Sequence, residues 1–417
     1  MDTPATGPDE PPLDPTLLLS VPPQLPEHRG AAEPISASDA ETSSALILGT
    51  IPLGGAGAGS VEVSADSRFR HISINNNRAT TAWISDSPNS FIAVRFAPEG
   101  GKPVSYILQR HSRSQDTGLV PVPRIPKGDF SSRGIYPMLH FRAHGQDLPF
   151  NAVWMLMSPM IPFDLEASLL PMVLASVQVR NRLKVPALVS VMFHLEHLCG
   201  RSGETPLAPR PISARHIEED DGAPPPPDAR AAQAHNAVVF ESGGPIVNDA
   251  DGQHCLAVRT SRGGLPSVGA YNASDPERNA EFWRHFKETG DVPTGLLGAQ
   301  AEFGAVCLKF EVPPKEDRCA DFAWSWYAPL FRAPDGEQMG NGYTCLEEDA
   351  IEVARRGLKH GGYYCNSVLD WQQRFNSSSL PRWLIKELIN SARIFTRNGL
   401  YAEDGRFGLQ ASPLDSR

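Results

Sequence analysis

The sequence has no apolar run close to the ~18 residues that a membrane-spanning helix needs. It has no Cys-x-x-Cys pair: Cys199, Cys255, Cys307, Cys319, Cys345 and Cys365 are scattered along 417 residues. That removes the usual zinc and dithiol spacings and fits a reducing compartment. Basic residues are the minority, 38 Lys and Arg against 48 Asp and Glu, for a net charge of −10. A surface for nucleic acid or anionic lipid needs the opposite balance, because cations make the phosphate contacts. A neutral sugar imposes no such demand. No basic stretch followed by an apolar one opens the chain, so no secretory signal is expected. These absences predict a cytoplasmic protein with no nucleic-acid partner and no membrane span.

The glycines, by contrast, are concentrated. Gly54, Gly55, Gly57 and Gly59 fall in Ile51-Pro-Leu-Gly-Gly-Ala-Gly-Ala-Gly-Ser-Val-Glu62. A glycine run lets the backbone come close to something else. A phosphate is one candidate, but the spacing is not G-x-G-x-x-G and no Gly-Lys-Ser/Thr comes after it. The next residues are Ser60-Val-Glu-Val-Ser64, β-branched and alternating, which read as a strand rather than a helix start. A tight strand–turn–strand element is the plainer reading.

Residues 1–44 are rich in proline, acids and small polar residues, and they predict a disordered tail. From 45 to 340 the period is two. Strands are expected at Phe91–Phe96, Leu174–Arg180, Leu188–Leu195, Ala237–Phe240, Leu256–Arg259 and Gly304–Glu311. Asn181–Pro186 reads as a hairpin-like connection between two of them. Many short strands with few helices predict two packed antiparallel sheets, a β-sandwich. Residues 201–230, with Glu218-Glu-Asp-Asp221 and four consecutive prolines, predict an exposed loop. One helix is expected at Pro276–Thr289, capped by Asp275 and ended by Gly290.

After about 340 the period becomes 3.6. Glu347–Phe375 predicts a helix that can bend or break at Gly361-Gly362. A second runs from Pro381 to Arg397 with an apolar stripe of Ile385, Leu388, Ile389, Ala392 and Phe395. Glu403-Asp-Gly405 predicts a turn. Both helices present apolar faces that need partners.

Chemistry-bearing candidates are few. His194-Leu-Glu-His197 with Cys199 has metal-ligand residue types, but three residues along a strand reverse the face. Asn75-Asn-Asn-Arg78 reads as a turn or a ligand contact. Trp83, Trp154, Trp324 and Trp326 read as core or as a sugar-stacking platform. No G-x-S-x-G elbow occurs.

Several motifs in order carry a resemblance. The Ile51–Glu62 stretch, Arg68-Phe-Arg, Ile74-Asn-Asn-Asn and Ser90-Phe-Ile-Ala-Val-Arg95 resemble the N-terminal domain of glycoside hydrolase family 116. Asp370-Trp-Gln372, Leu380-Pro-Arg-Trp-Leu384, Leu388-Ile-Asn390 and Asp404-Gly-Arg-Phe-Gly408 resemble the entry to that family's helical catalytic domain. The resemblance implies a β-sandwich (45–340) followed by the first helices of an incomplete (α/α)6 barrel (341–417). It implies hydrolysis of β-glucosides or glucosylceramide with retention, through two carboxyl groups about 5–5.5 Å apart and no cofactor. In the family a nucleophilic Glu follows the Gly-Arg-Phe-Gly motif. Here Gln410 and Ala411 stand in that register, and the acid/base is expected beyond residue 417. Asp404 reads as a turn residue and Asp415 as part of a tail. No catalytic, cofactor-binding or metal residue is therefore assigned. The chain is expected to be truncated and inactive alone, with self-association through uncovered helix faces. The alternatives are a non-catalytic carbohydrate-binding or interaction module and a complete inactive homologue.

Overall fold

The computed structural model describes residues 49–77, 82–111, 119–203, 209–218, 234–332 and 337–409. The predicted disordered tail, residues 219–233 of the acidic Pro-rich stretch, Arg78 and positions 410–417 lie outside the described residues.

The protein is mainly β. A nine-stranded sheet runs in the order Ala299–Ala301, Arg210–Arg215, Ala237–Glu241, Gln253–Val258, Asp317–Tyr327, Met172–Asn181, Phe150–Met157, Met138–Ala143 and Phe130–Ile135. A six-stranded sheet runs Leu265–Tyr271, Phe303–Val312, Ala187–Glu196, Phe91–Pro98, Val104–Arg110 and Arg124–Ile125. A smaller sheet of Thr50–Leu53, Val61–Ser64, Phe69–Ile72 and Ile84–Asp86 carries the glycine stretch.

The alternating residues explain the packing. Ala175, Val177 and Val179 from the nine-stranded sheet and Val189, Val191, Phe193 and Leu195 from the six-stranded sheet are buried in one core. The two strands therefore face each other across the sandwich. Asn181–Pro186 is not a hairpin connection, because Met172–Asn181 and Ala187–Glu196 belong to different sheets. Two adjacent runs, each with one strongly apolar face, bury more by opposing those faces than by lying edge to edge.

The reverse faces are also covered. The 14-residue helix Pro276–Thr289 lays Phe282, Trp283 and Phe286 over Phe91, Ala93 and Met192 of the six-stranded sheet. Asp275 caps it by accepting from the Glu277 and Arg278 amides, and Gly290 ends it at φ +79°. On the other side, Ala350–Asn376 packs Val353, Ala354, Leu358, Cys365 and Val368 on Met172, Leu174, Cys255 and Ala323. This makes four layers: helix, sheet, sheet, helix.

In chain order the helices are α1 (Leu165–Leu169), α2 (Pro276–Thr289), α3 (Ala350–Asn376), α4 (Arg382–Ser391) and α5 (Arg393–Arg397). α3 runs unbroken through Gly361 and Gly362, both buried. Glycine costs a helix about 1 kcal/mol against alanine, and burial against the sheet offsets it. The second predicted helix divides at Ala392 into α4 and α5, with Pro381 as the N-cap rather than the first turn. Of the predicted uncovered stripes, that of α3 is covered by the sandwich. α4 buries Ile385 and Ile389 and leaves Trp383 and Leu388 exposed. Within the predicted 201–230 loop, Arg210–Arg215 is a strand, because Ile212 is drawn into the sandwich core opposite Phe240.

Candidate functional site

The glycine stretch is approached by the backbone of its own chain. Gly57, at φ +72°, has room for a hydrogen only, since a Cβ there would lie 2.3 Å from the Tyr401 nitrogen. A Cβ on Gly55 would lie 2.3 Å from the Leu169 carbonyl oxygen. The loop amides are taken as well. Ala56 donates to the Ser168 carbonyl (2.6 Å) and Gly57 to the Phe395 carbonyl (3.0 Å). They face no anion. The loop is a clasp that seats the segment from α5 to Tyr401 on the sandwich.

Side chains complete the seat. Glu62, pairing with Pro52 across the first hairpin, is buried. Its carboxylate accepts from the Thr50 hydroxyl (2.5 Å), stands 3.2 Å from His71 Nδ1 and pairs with Arg397 Nε at 2.8 Å. The Arg397 guanidinium lies 5.3 Å from the Trp83 ring centroid, a cation–π distance. Tyr136 binds α3, α4 and α5. Its hydroxyl shares a hydrogen bond with Thr396 (2.6 Å), its amide donates to Asn390 Oδ1 (3.1 Å), and its carbonyl accepts from Gln372 (3.1 Å). Gln372 and Asn390 belong to the motifs that carried the resemblance, and their role here is to hold the junction.

The junction delivers Gly399–Tyr401 and Phe407–Leu409, a hairpin that carries Gly405-Arg-Phe-Gly408. Gly405 makes the turn at φ +86°. Asp404 accepts from the Arg406 amide and guanidinium, which hold its carboxyl below the usual range. It is an exposed turn residue, as its position predicts. Ala411 and Asp415 lie outside the described residues.

The other candidates separate. His194 Nδ1 donates to the Asn89 carbonyl (2.6 Å) and Nε2 accepts from the Tyr271 hydroxyl (3.0 Å), with the ring stacked on Phe91. Burial pushes its pKa down to about 4. His197 turns instead to Phe240 and the Pro211 carbonyl, and Cys199 donates to the Gly252 carbonyl. Burial pushes the Cys199 thiol up to about 12, which keeps it protonated. The three do not converge. Trp154, Trp324 and Trp326 are fully buried core, and Trp83 is buried beneath Arg397. Asn75 donates to the Leu198 and Arg201 carbonyls and accepts from His254. Asn76, at φ +55°, donates to the Ala328 carbonyl (3.1 Å). These asparagines are internal ties.

The arrangement is that of a β-sandwich that seats α4, α5 and the hairpin after them. The family described as "beta-glucosidase 2, glycosyl-hydrolase family 116 N-term" matches residues 50–364, more than half of the chain, and the chain belongs to that family. No curated protein sequence matches it. Among solved structures, a putative kojibiose phosphorylase from human microbiome is similar over 91% of this chain and 40% of its own, at 7% identity and a TM-score of 0.35. A family GH92 inverting mannosidase from Bacteroides thetaiotaomicron VPI-5482 is similar over 87% and 39%, at 10% identity and 0.31. A 4-alpha-glucanotransferase from Thermococcus litoralis is similar over 67% and 37%, at 8% identity and 0.27. The chain thus spans about two fifths of the length of these proteins. Among the described residues, no helix is long and apolar enough to cross a membrane.

Proposed function

We propose that this chain is the sandwich and lead-in part of a retaining β-glucosidase-type enzyme acting on β-glucosides or glucosylceramide in the cytoplasm. In this reading residues 45–340 are the sandwich domain, and 341–417 open an (α/α)6 barrel that holds the chemistry. One observation carries it: the family's glycine stretch clasps the segment leading into Gly405-Arg-Phe-Gly408, where the resemblance expects the catalytic region to begin. The sandwich's task is then to fix the position of that entry. Retention requires a nucleophilic carboxylate and an acid/base about 5–5.5 Å apart. Alanine at 411 can neither attack the anomeric carbon nor carry negative charge.

The 417-residue polypeptide by itself is therefore inactive on β-glucosides. An aryl β-glucoside assay decides the point. Turnover that disappears when a carboxylate of this chain is replaced would overturn the reading. The exposed Trp383 and Leu388 of α4 are the surface through which the chain would self-associate. A monodisperse monomer in sedimentation would remove that part of the proposal.

A further inference from the structure

A cleft of about 420 Å³ opens between α1 and α3, lined by residues that the junction does not use. Its sequence basis is a double row. Residues four apart stack on one face of a helix. Arg355, Lys359 and Tyr363 therefore form one row on α3, and Arg356, His360 and Tyr364 the next. Asp164, Glu166 and Glu347 supply acids from α1 and from the turn before α3.

These groups are held in place before any ligand arrives. Arg356 pairs with Glu347 (2.8 Å) and Glu166 (3.2 Å) and reaches the Tyr364 hydroxyl (3.3 Å). The Tyr363 hydroxyl donates to Asp164 Oδ2 (3.3 Å). The lining holds three cations and three carboxylates and so has no net charge, and Arg355 is further paired with Glu352 beside it. His360 adds none, since burial and then Lys359, Arg356 and Arg355 lower its pKa. An anion site needs a surplus of positive charge. A polyhydroxyl compound needs donors and acceptors side by side, because each hydroxyl does both. This lining interleaves them.

The aromatic residues point the same way. Tyr363 is 55% exposed. Phe163, directly before the lining residue Asp164, is fully exposed at φ +69°. A bulky residue in the left-handed region is a backbone outlier of the kind that clusters at ligand sites. Exposed aromatic faces suit the C–H face of a sugar ring, and the volume falls in the range of small-ligand sites.

We propose that this cleft is a binding site for a small neutral saccharide. It goes beyond the glycosidase reading and does not depend on it: binding here would persist in a chain that proves inactive.

The test is titration of the 417-residue chain with methyl β-glucoside and with cellobiose, followed by saturation-transfer NMR, with inorganic phosphate as competitor. Saturable binding is expected, weakened about tenfold or more by Tyr363→Ala at an unchanged melting temperature, and phosphate should not displace the sugar. Phe163→Ser, at a fully exposed position, should weaken binding in the same direction and keeps the result readable if Tyr363→Ala melts early. Absence of saturable binding by both sugars, equal affinity in wild type and both variants, or displacement by phosphate would each overturn the proposal.

Discussion

The α3 helix and the α4–α5 pair are neighbours in the chain and are held by different forces. α3 lies on the nine-stranded sheet with Ala350, Val353, Ala354, Leu358, Cys365 and Val368 buried. Gly357 lets it come close, since a Cβ there would meet the Met172 sulfur at 2.7 Å. That attachment is proportional to area and has little direction. α4 and α5 bury few apolar residues, and Trp383 remains 68% exposed. They are pinned by directed contacts instead: Asn390 and Thr396 on Tyr136, the Phe395 carbonyl on Gly57, and Arg397 on Glu62. Area holds the linking helix. Hydrogen bonds and one buried ion pair set the position of the segment that leads to the Gly-Arg-Phe-Gly hairpin.

The difference can be broken from either side. The largest effect is expected from Glu62→Ala, which leaves the Arg397 charge buried without its partner at a cost of about 3–5 kcal/mol. Amide exchange should accelerate across residues 393–401 and stay slow in α3; unchanged exchange at 393–401 would remove the pinning argument. Leu358→Ala should act on the other attachment, costing about 2–4 kcal/mol through transfer and cavity terms. It should lower the melting temperature of the sandwich as a whole. A loss confined to α3, with sandwich exchange unaltered, would show that α3 is an appendage.

Acid probes the sandwich interior. His194 and His254 are fully buried, and desolvation depresses their pKa values to about 4 and about 3, below the unfolded 6.5. Between those values the unfolded chain binds protons that the folded chain does not. Stability is therefore full above pH 6.5 and lost as the pH falls toward 4, by about 2 kcal/mol per histidine at pH 5. A His194→Gln variant should show a flatter fall of stability in denaturant titrations over that window; an identical slope would contradict the assignment. The smallest effect belongs to Trp383→Ser, on the exposed side of α4, expected within about 0.5 kcal/mol at concentrations where the chain is monomeric. A large drop in melting temperature would mean that this face is already covered by a second copy.

Local signals carried much of the fold. α2 was legible to the residue, because Asp275, Pro276 and Gly290 act within one turn of themselves. The strand at Leu188–Leu195 was legible because alternation is a property of the strand alone. The cleft was not read, although its two rows at spacing four were in plain sequence. Arg, Lys and Tyr at such positions look like any solvated helix face until α1 closes the other wall. Tyr136 carried no signal at all, since its three partners lie 236 to 260 positions away.

The sequence by itself determined the class of structure, the family, and the ends of the best-capped helix, because each depends on neighbours along the chain. Only the tertiary structure decided that two consecutive strands oppose each other rather than pair, and that the glycine run meets Tyr401 rather than a phosphate. It also decided that Glu62 faces Arg397. Those outcomes rest on burial of faces and charges brought together from hundreds of residues apart, and no local pattern records which partner will arrive.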